Sequence, residues 1–159
     1  MSASVENGTS ERPGDGPVMF AYDGSDQAKN AIREAGRQLR PGRDALVLSA
    51  WQPLATVPFA GLTDGAPDVE ESIEAEARKV AAEGAELARS AGFTATPLVV
   101  SGSPIWRTIV TTAEEHDASI VVMGSHGRTG INLVLIGSVA AAVVRHTERP
   151  TLIVHAPPS

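Results

Sequence analysis

A chain of 159 residues, 42% of them hydrophobic, is long enough for one domain with a substantial buried core. Its formal charge of −6 argues against a nucleic-acid binder, which would present a basic face, and the lack of cysteine excludes disulfides and thiolate metal sites. With aromatics at 4%, the core has to be built from Val, Ile, Leu and Ala.

Residues 1–16 are rich in Ser, Gly, Glu and Asn and contain no apolar signal segment, so they read as a disordered tail ahead of a single domain over 17–157. Val18 to Tyr22 reads as a first strand, stopped by Asp23-Gly24-Ser25. Ser25 or Asp26 can cap the helix that follows, in which Ala28, Ala31, Ile32, Ala35 and Leu39 form one apolar stripe. Pro41-Gly42 ends it. Ala45 to Trp51 is a second buried strand. Residues 52–67, with Pro53, Pro58, Pro67, Gly61 and Gly65, form a loop.

Asp68 to Ala91 is a long amphipathic helix with Val69, Ile73, Ala77, Val80, Gly84, Leu87 and Ala91 on one stripe and Gly92 as its C′ residue. Thr94 to Val100 is a third strand. Ser103-Pro104 starts the next helix, Ser as N-cap and Pro at the first helical position, with Ile105, Ile109 and Ala113 facing inward. Ile120 to Met123 is a fourth strand, followed by the glycine-rich stretch Gly124-Ser125-His126-Gly127-Arg128-Thr129-Gly130. A helix from Val139 to His146 and a last strand from Thr151 to His155 complete the chain. Ile131 to Val144 is the most apolar segment, yet it is too short to cross a bilayer and is interrupted by Asn132, Gly137 and Ser138. A membrane role is not expected, and the chain reads as cytoplasmic.

Buried strands alternating with helices imply an α/β fold: a doubly wound, five-stranded parallel sheet with helices on both faces. The order 3-2-1-4-5 puts the ligand crevice between the first and fourth strands, where the winding reverses. Asp23 and Gly124 end those two strands. A glycine-rich turn running into a helix N-terminus gathers backbone N–H groups around an anion. This is not a Walker loop, because the two lysines, Lys29 and Lys79, lie on helices away from it. Nor is it a dinucleotide fingerprint, which would follow the first strand.

Gly124, Gly127, Gly137 and Ser138 fit the pattern G-x2-G-x9-G-Ser/Thr. On this motif, together with Val18 to Ser25, Ser138 to His146 and Pro150 to Val154, the chain resembles the universal stress protein family, specifically its ATP-binding branch, over residues 18–155. The resemblance implies a Rossmann-like fold of the adenine nucleotide alpha-hydrolase type and a regulatory role in the stress response, with ATP (or ADP or AMP) and Mg²⁺ as cofactors. It also implies site roles. Asp23 would sit near the ribose or a phosphate-bound Mg²⁺, and Ala50 would offer its backbone to the adenine. Gly124 and Gly127 would cradle ribose and phosphates, while Gly137, Ser138 and Val139 bind phosphate oxygens. Pairing through strand 151–155 as a homodimer is implied as well. Leu133 departs from the Arg or Lys of many relatives, and Ala141-Ala142 from a commonly charged pair.

Plainer readings stand beside these. Asp23 also reads as a plain turn residue, the glycines as a tight turn, and Ser138 as an N-cap, the ligand roles being preferred for Asp23 and the glycines. Arg128 is either a mobile phosphate cation or solvated, and His126 is read as an exposed loop residue rather than a catalytic one. Three functions stay open: an ATP-binding regulatory protein with little or no turnover, a slow ATPase using the same site, and an interaction module with a vestigial nucleotide site. None requires a catalytic residue to be assigned from the sequence.

Overall fold

The computed structural model describes residues 14–54, 66–126 and 136–156. Strands and helices alternate through β1 (Val18–Ala21), α1 (Asp26–Gln38), β2 (Asp44–Trp51), α2 (Ala66–Ser90), β3 (Thr94–Ser101), α3 (Ile105–Glu115), β4 (Ile120–Gly124), α4 (Ser138–His146) and β5 (Thr151–Val154). The strands form one five-stranded sheet in the order β3-β2-β1-β4-β5, and every pairing is parallel. The fold class and strand order expected from the sequence are those observed.

Successive residues of a strand point to opposite faces. In β1, Val18 and Phe20 join the layer made with Ile32 and Ala35 of α1 and Val80 and Ala85 of α2. Met19 joins the opposite layer, with Ile109 and Ala113 of α3 and Ala140 and Val143 of α4. Both faces of β1 are therefore dry, which is why its sequence is continuously apolar rather than alternating. Phe20 meets Phe93 edge to face, with ring centroids 5.2 Å apart. β3 departs from the expectation of strands buried on both faces: at the sheet edge, Ala95 is its one buried residue.

Helix ends follow local chemistry. Ser25 caps α1, its hydroxyl accepting from the amide of Ala28 at 3.1 Å. At the end of α2, the amide of Phe93 donates to Ala88 O and that of Gly92 to Arg89 O, closing a Schellman turn. Gly92 has φ +103°, a conformation that suits a residue without Cβ. In the apolar stripe of α2, Ala77, Val80 and Gly84 are buried and Leu87 is partly buried, whereas Val69 is exposed.

Three helix starts differ from the sequence reading, α2 beginning at Ala66 rather than Asp68. Pro104 is itself the N-cap of α3, with extended ψ of 159° and no side-chain cap bond. Ser103 is thus one residue too far back for its hydroxyl to reach the first-turn amides. α4 begins at Ser138, with Gly137 as its N-cap, so Ser138 is the first helical residue and not the cap. Ahead of β1, Arg43 Nη2 donates to the carbonyls of Gly14 and Gly16 at 3.1 and 3.2 Å. Among the described residues, no helix is long and apolar enough to cross a membrane.

Candidate functional site

A cavity of about 330 Å³ opens at the C-terminal ends of β1 and β4. Parallel strands put their carboxyl ends at one edge, and the crevice forms where neighbouring connections leave in opposite directions. Leu48, Ala50, Ile105, Ile109 and Met123 give it an apolar interior, while Asp23, Ser125, His126 and Ser138 give it a polar rim. This is the composition of a small-molecule site: apolar walls and a few convergent polar groups.

Of the residues singled out in the sequence, Asp23, Ala50, Gly124, Gly137, Ser138 and Val139 all line this one cavity. Gly127, Arg128 and Leu133 lie outside the described residues. Asp23 is also a turn residue, since its Oδ1 accepts from the amide of Ser25 at 3.0 Å. The carboxylate thus both shapes the β1–α1 turn and stands in the cavity wall. Among the described residues, no group of three His, Cys, Asp or Glu side chains could hold a metal ion.

The two glycines at the stems of the glycine-rich segment have steric reasons of their own. A Cβ on Gly124 would lie 3.1 Å from the backbone carbon and Cβ of Gln27, so the first turn of α1 packs directly onto the main chain there. A Cβ on Gly137 would lie 3.0 Å from the carbonyl oxygen of Ser125. The amide of Gly137 donates to that same oxygen at 2.7 Å, which joins the stems. Gly137 N–H is therefore already used. The first intrahelical bond of α4 runs from Ala141 N to Gly137 O at 2.9 Å, so the amides of Ser138, Val139 and Ala140 precede it. All three residues line the cavity. Such first-turn amides, at the positive end of a helix, suit an anion.

Several side-chain partnerships around the cavity had no signal in the sequence. Ser125 is almost fully buried; its hydroxyl donates to Gln27 Oε1 at 3.3 Å and lies 3.1 Å from His126 Nδ1. The amide of His126 donates to the same Gln27 oxygen at 2.9 Å. His126 is accordingly half-buried in the cavity wall rather than an exposed loop residue. Tyr22, also in the wall, directs its hydroxyl away to Glu83 Oε1 at 2.8 Å, and Lys29 Nζ reaches the same carboxylate oxygen at 3.1 Å. Burial first, then this hydrogen bond, push the Tyr22 phenol above its ordinary range. The Tyr22 hydroxyl and then Lys29 hold the Glu83 carboxyl below its own. Neither Gln27 nor Glu83 carries a spacing signal in the sequence, because their partners are nearly a hundred and about sixty residues away in the chain.

The sequence profile described as the universal stress protein family matches residues 16–155. The chain is 29% identical over 142 residues to universal stress protein MJ0531 of Methanocaldococcus jannaschii, covering 88% of this chain and 82% of that one. It is 38% identical over 63 residues to universal stress protein MJ0577 of the same organism, spanning only 38% of that relative's length. It also spans 46% of the length of the Mycobacterium tuberculosis universal stress protein Rv1996. Among solved structures, MJ0577 superposes with a TM-score of 0.77 at 22% identity over 92% of this chain and 99% of its own, a likeness of fold. The Archaeoglobus fulgidus universal stress protein in complex with dAMP superposes at 0.60 with 25% identity, covering 86% of this chain and 95% of that one. A universal stress protein in complex with cAMP superposes at 0.59 with 27% identity, covering 88% and 96%.

Proposed function

This chain belongs to the universal stress protein family, and we propose that within it the protein is an ATP-binding regulatory protein of the stress response, with little or no turnover. The observation that carries the reading is the convergence of Asp23, Gly124 and the first turn of α4 on one cavity with an apolar interior. The apolar part suits a purine, with the backbone of Ala50 at its edge. The amides of Ser138 to Ala140 suit a phosphate, with the Ser138 hydroxyl beside them. Gly124 and Gly127 would take the ribose and phosphates, and Arg128 would offer them a cation. Two related structures are complexes with cAMP and dAMP, which supports an adenine nucleotide as the ligand class.

Mg²⁺ fits this site only in the company of phosphates. Asp23 is the one carboxylate among the described lining residues, so the metal would arrive with the nucleotide and meet Asp23 from its phosphate side. Rapid phosphoryl transfer demands an oriented nucleophile and cations that follow the developing charge. A site built from one carboxylate and helix amides is equipped for holding a nucleotide. We place the protein in the cytoplasm on this reading, as a nucleotide sensor.

The test starts with protein purified without added nucleotide. Mass spectrometry after denaturation is expected to find an adenine nucleotide, and titration calorimetry with ATP and Mg²⁺ to give a saturable heat. Asp23→Ala is expected to weaken binding by roughly tenfold or more, the loss of one charge-assisted contact. Sustained phosphate release abolished by the same substitution would favour the slow ATPase. An empty protein with neither heat nor thermal shift would leave the interaction module.

A further inference from the structure

We infer that Gln27, near the start of α1, is the positioning residue for Ser125 and His126, directly after β4; its effect on ligand affinity rests on the nucleotide reading above, its effect on these two residues does not. Gln27 is not in the cavity wall, so it acts through the residues that are. The amide of His126 can only donate, so the Gln27 atom 2.9 Å from it is the side-chain carbonyl oxygen. That same oxygen receives the Ser125 hydroxyl at 3.3 Å. One acceptor on α1 thus takes donors from these two successive residues.

Packing acts in the same sense as hydrogen bonding. Gly124 lacks a Cβ where one would stand 3.1 Å from Gln27 Cβ, so helix and main chain approach as closely as backbone allows. Ser125 is then tied on every side. Its amide donates to Val154 O of β5 at 3.0 Å, its carbonyl accepts from Gly137 N at 2.7 Å, and its hydroxyl reaches Gln27. The chain of bonds runs from α1 through Ser125 to the N-cap of α4. Removing the Gln27 acceptor strands the amide of His126, while the Ser125 hydroxyl, on a residue that is 2% exposed, keeps only its 3.1 Å neighbour His126 Nδ1. Ser125 and His126 have to turn for that amide to find a new partner. The carbonyl that holds Gly137, and with it the first-turn amides of α4, turns as well.

The experiment compares Gln27→Leu and Gln27→Glu with the wild-type full-length chain. Leucine removes the acceptor at similar volume; glutamate keeps an acceptor for both donors. Residue-resolved amide exchange is expected to show His126 protection falling about tenfold or more in Gln27→Leu, with Phe20 in β1 unchanged, and protection retained in Gln27→Glu. Titration with ATP and Mg²⁺ is expected to show Gln27→Leu weakened about tenfold. Unchanged His126 exchange in Gln27→Leu, or equal loss of protection in Gln27→Glu, overturns the positioning role. Lost protection with wild-type affinity overturns its link to the ligand. A wild-type chain that binds no ATP overturns the nucleotide reading instead, and the exchange comparison still decides on Gln27.

Discussion

At the scale of single residues, Tyr22 shows how one side chain can serve the cavity and the core together. Its ring stands in the wall and its hydroxyl is anchored to Glu83 on α2. Tyr22 is the one tyrosine of the chain, so absorbance near 295 nm reports on it alone. Its titration is expected above the ordinary phenol value of about 10. The folded state favours the neutral phenol, so its contribution to stability is complete below that value and is lost as pH rises through the folded one. Tyr22→Phe is expected to remove this alkaline loss; a tyrosine titrating normally in the folded protein would contradict it. Glu83 behaves in the opposite sense. Its lowered pKa contributes stability above the ordinary carboxylate value of about 4.3, lost as pH falls through the folded one. With its side chain 55% exposed, that contribution is small.

At the scale of elements, helix starts decide where the site's donors lie. α1 starts on a side-chain cap and α3 does not, although both are preceded by serine. Ser25→Ala is therefore expected to cost about 1 kcal/mol in urea unfolding, whereas Ser103→Ala should stay within about 0.5 kcal/mol. Equal costs would mean that Ser103 supports α3 in a way the geometry does not contain. α4 starts without any side-chain cap, on Gly137. Among the described residues no side chain caps its first-turn amides, which belong to the cavity-lining Ser138, Val139 and Ala140. α3 and α4 are joined beyond the cavity by Trp106 stacked on His146, ring centroids 4.4 Å apart, with the Arg107 guanidinium 5.3 Å from the indole. That contact holds together two helices that both line the cavity, α3 through Ile105 and Ile109 and α4 through Ser138, Val139 and Ala140.

At the scale of the whole molecule, the sheet ends at β5, a strand with partly buried apolar side chains and an open edge. Val139 and Val144 of the neighbouring α4 are 37% and 47% exposed. An apolar edge of this kind invites pairing with a second copy, and we propose a homodimer through β5. Sedimentation at micromolar concentration is expected to find a species heavier than the 16.5 kDa chain; that single species alone would refute the dimer. Because Ser125 hydrogen-bonds β5 as well as Gly137, the proposed interface and the cavity share one residue.

The alternation of strands and helices, the apolar stripes of the helices and the order of the sheet were legible in the chain, because periodicity and parallel crossovers are local or nearly local constraints. So was the meeting of Asp23 and Gly124, since strand order alone carries those two strand ends to one edge; Ser138 was placed beside them by the glycine motif. Only the tertiary structure decided that Gly137 N–H is already engaged, that Gln27 anchors Ser125 and His126, and that Tyr22 turns its hydroxyl to Glu83. These bonds join groups from elements far apart in the chain, and a hydrogen bond depends on distances of tenths of an ångström that no residue pattern encodes.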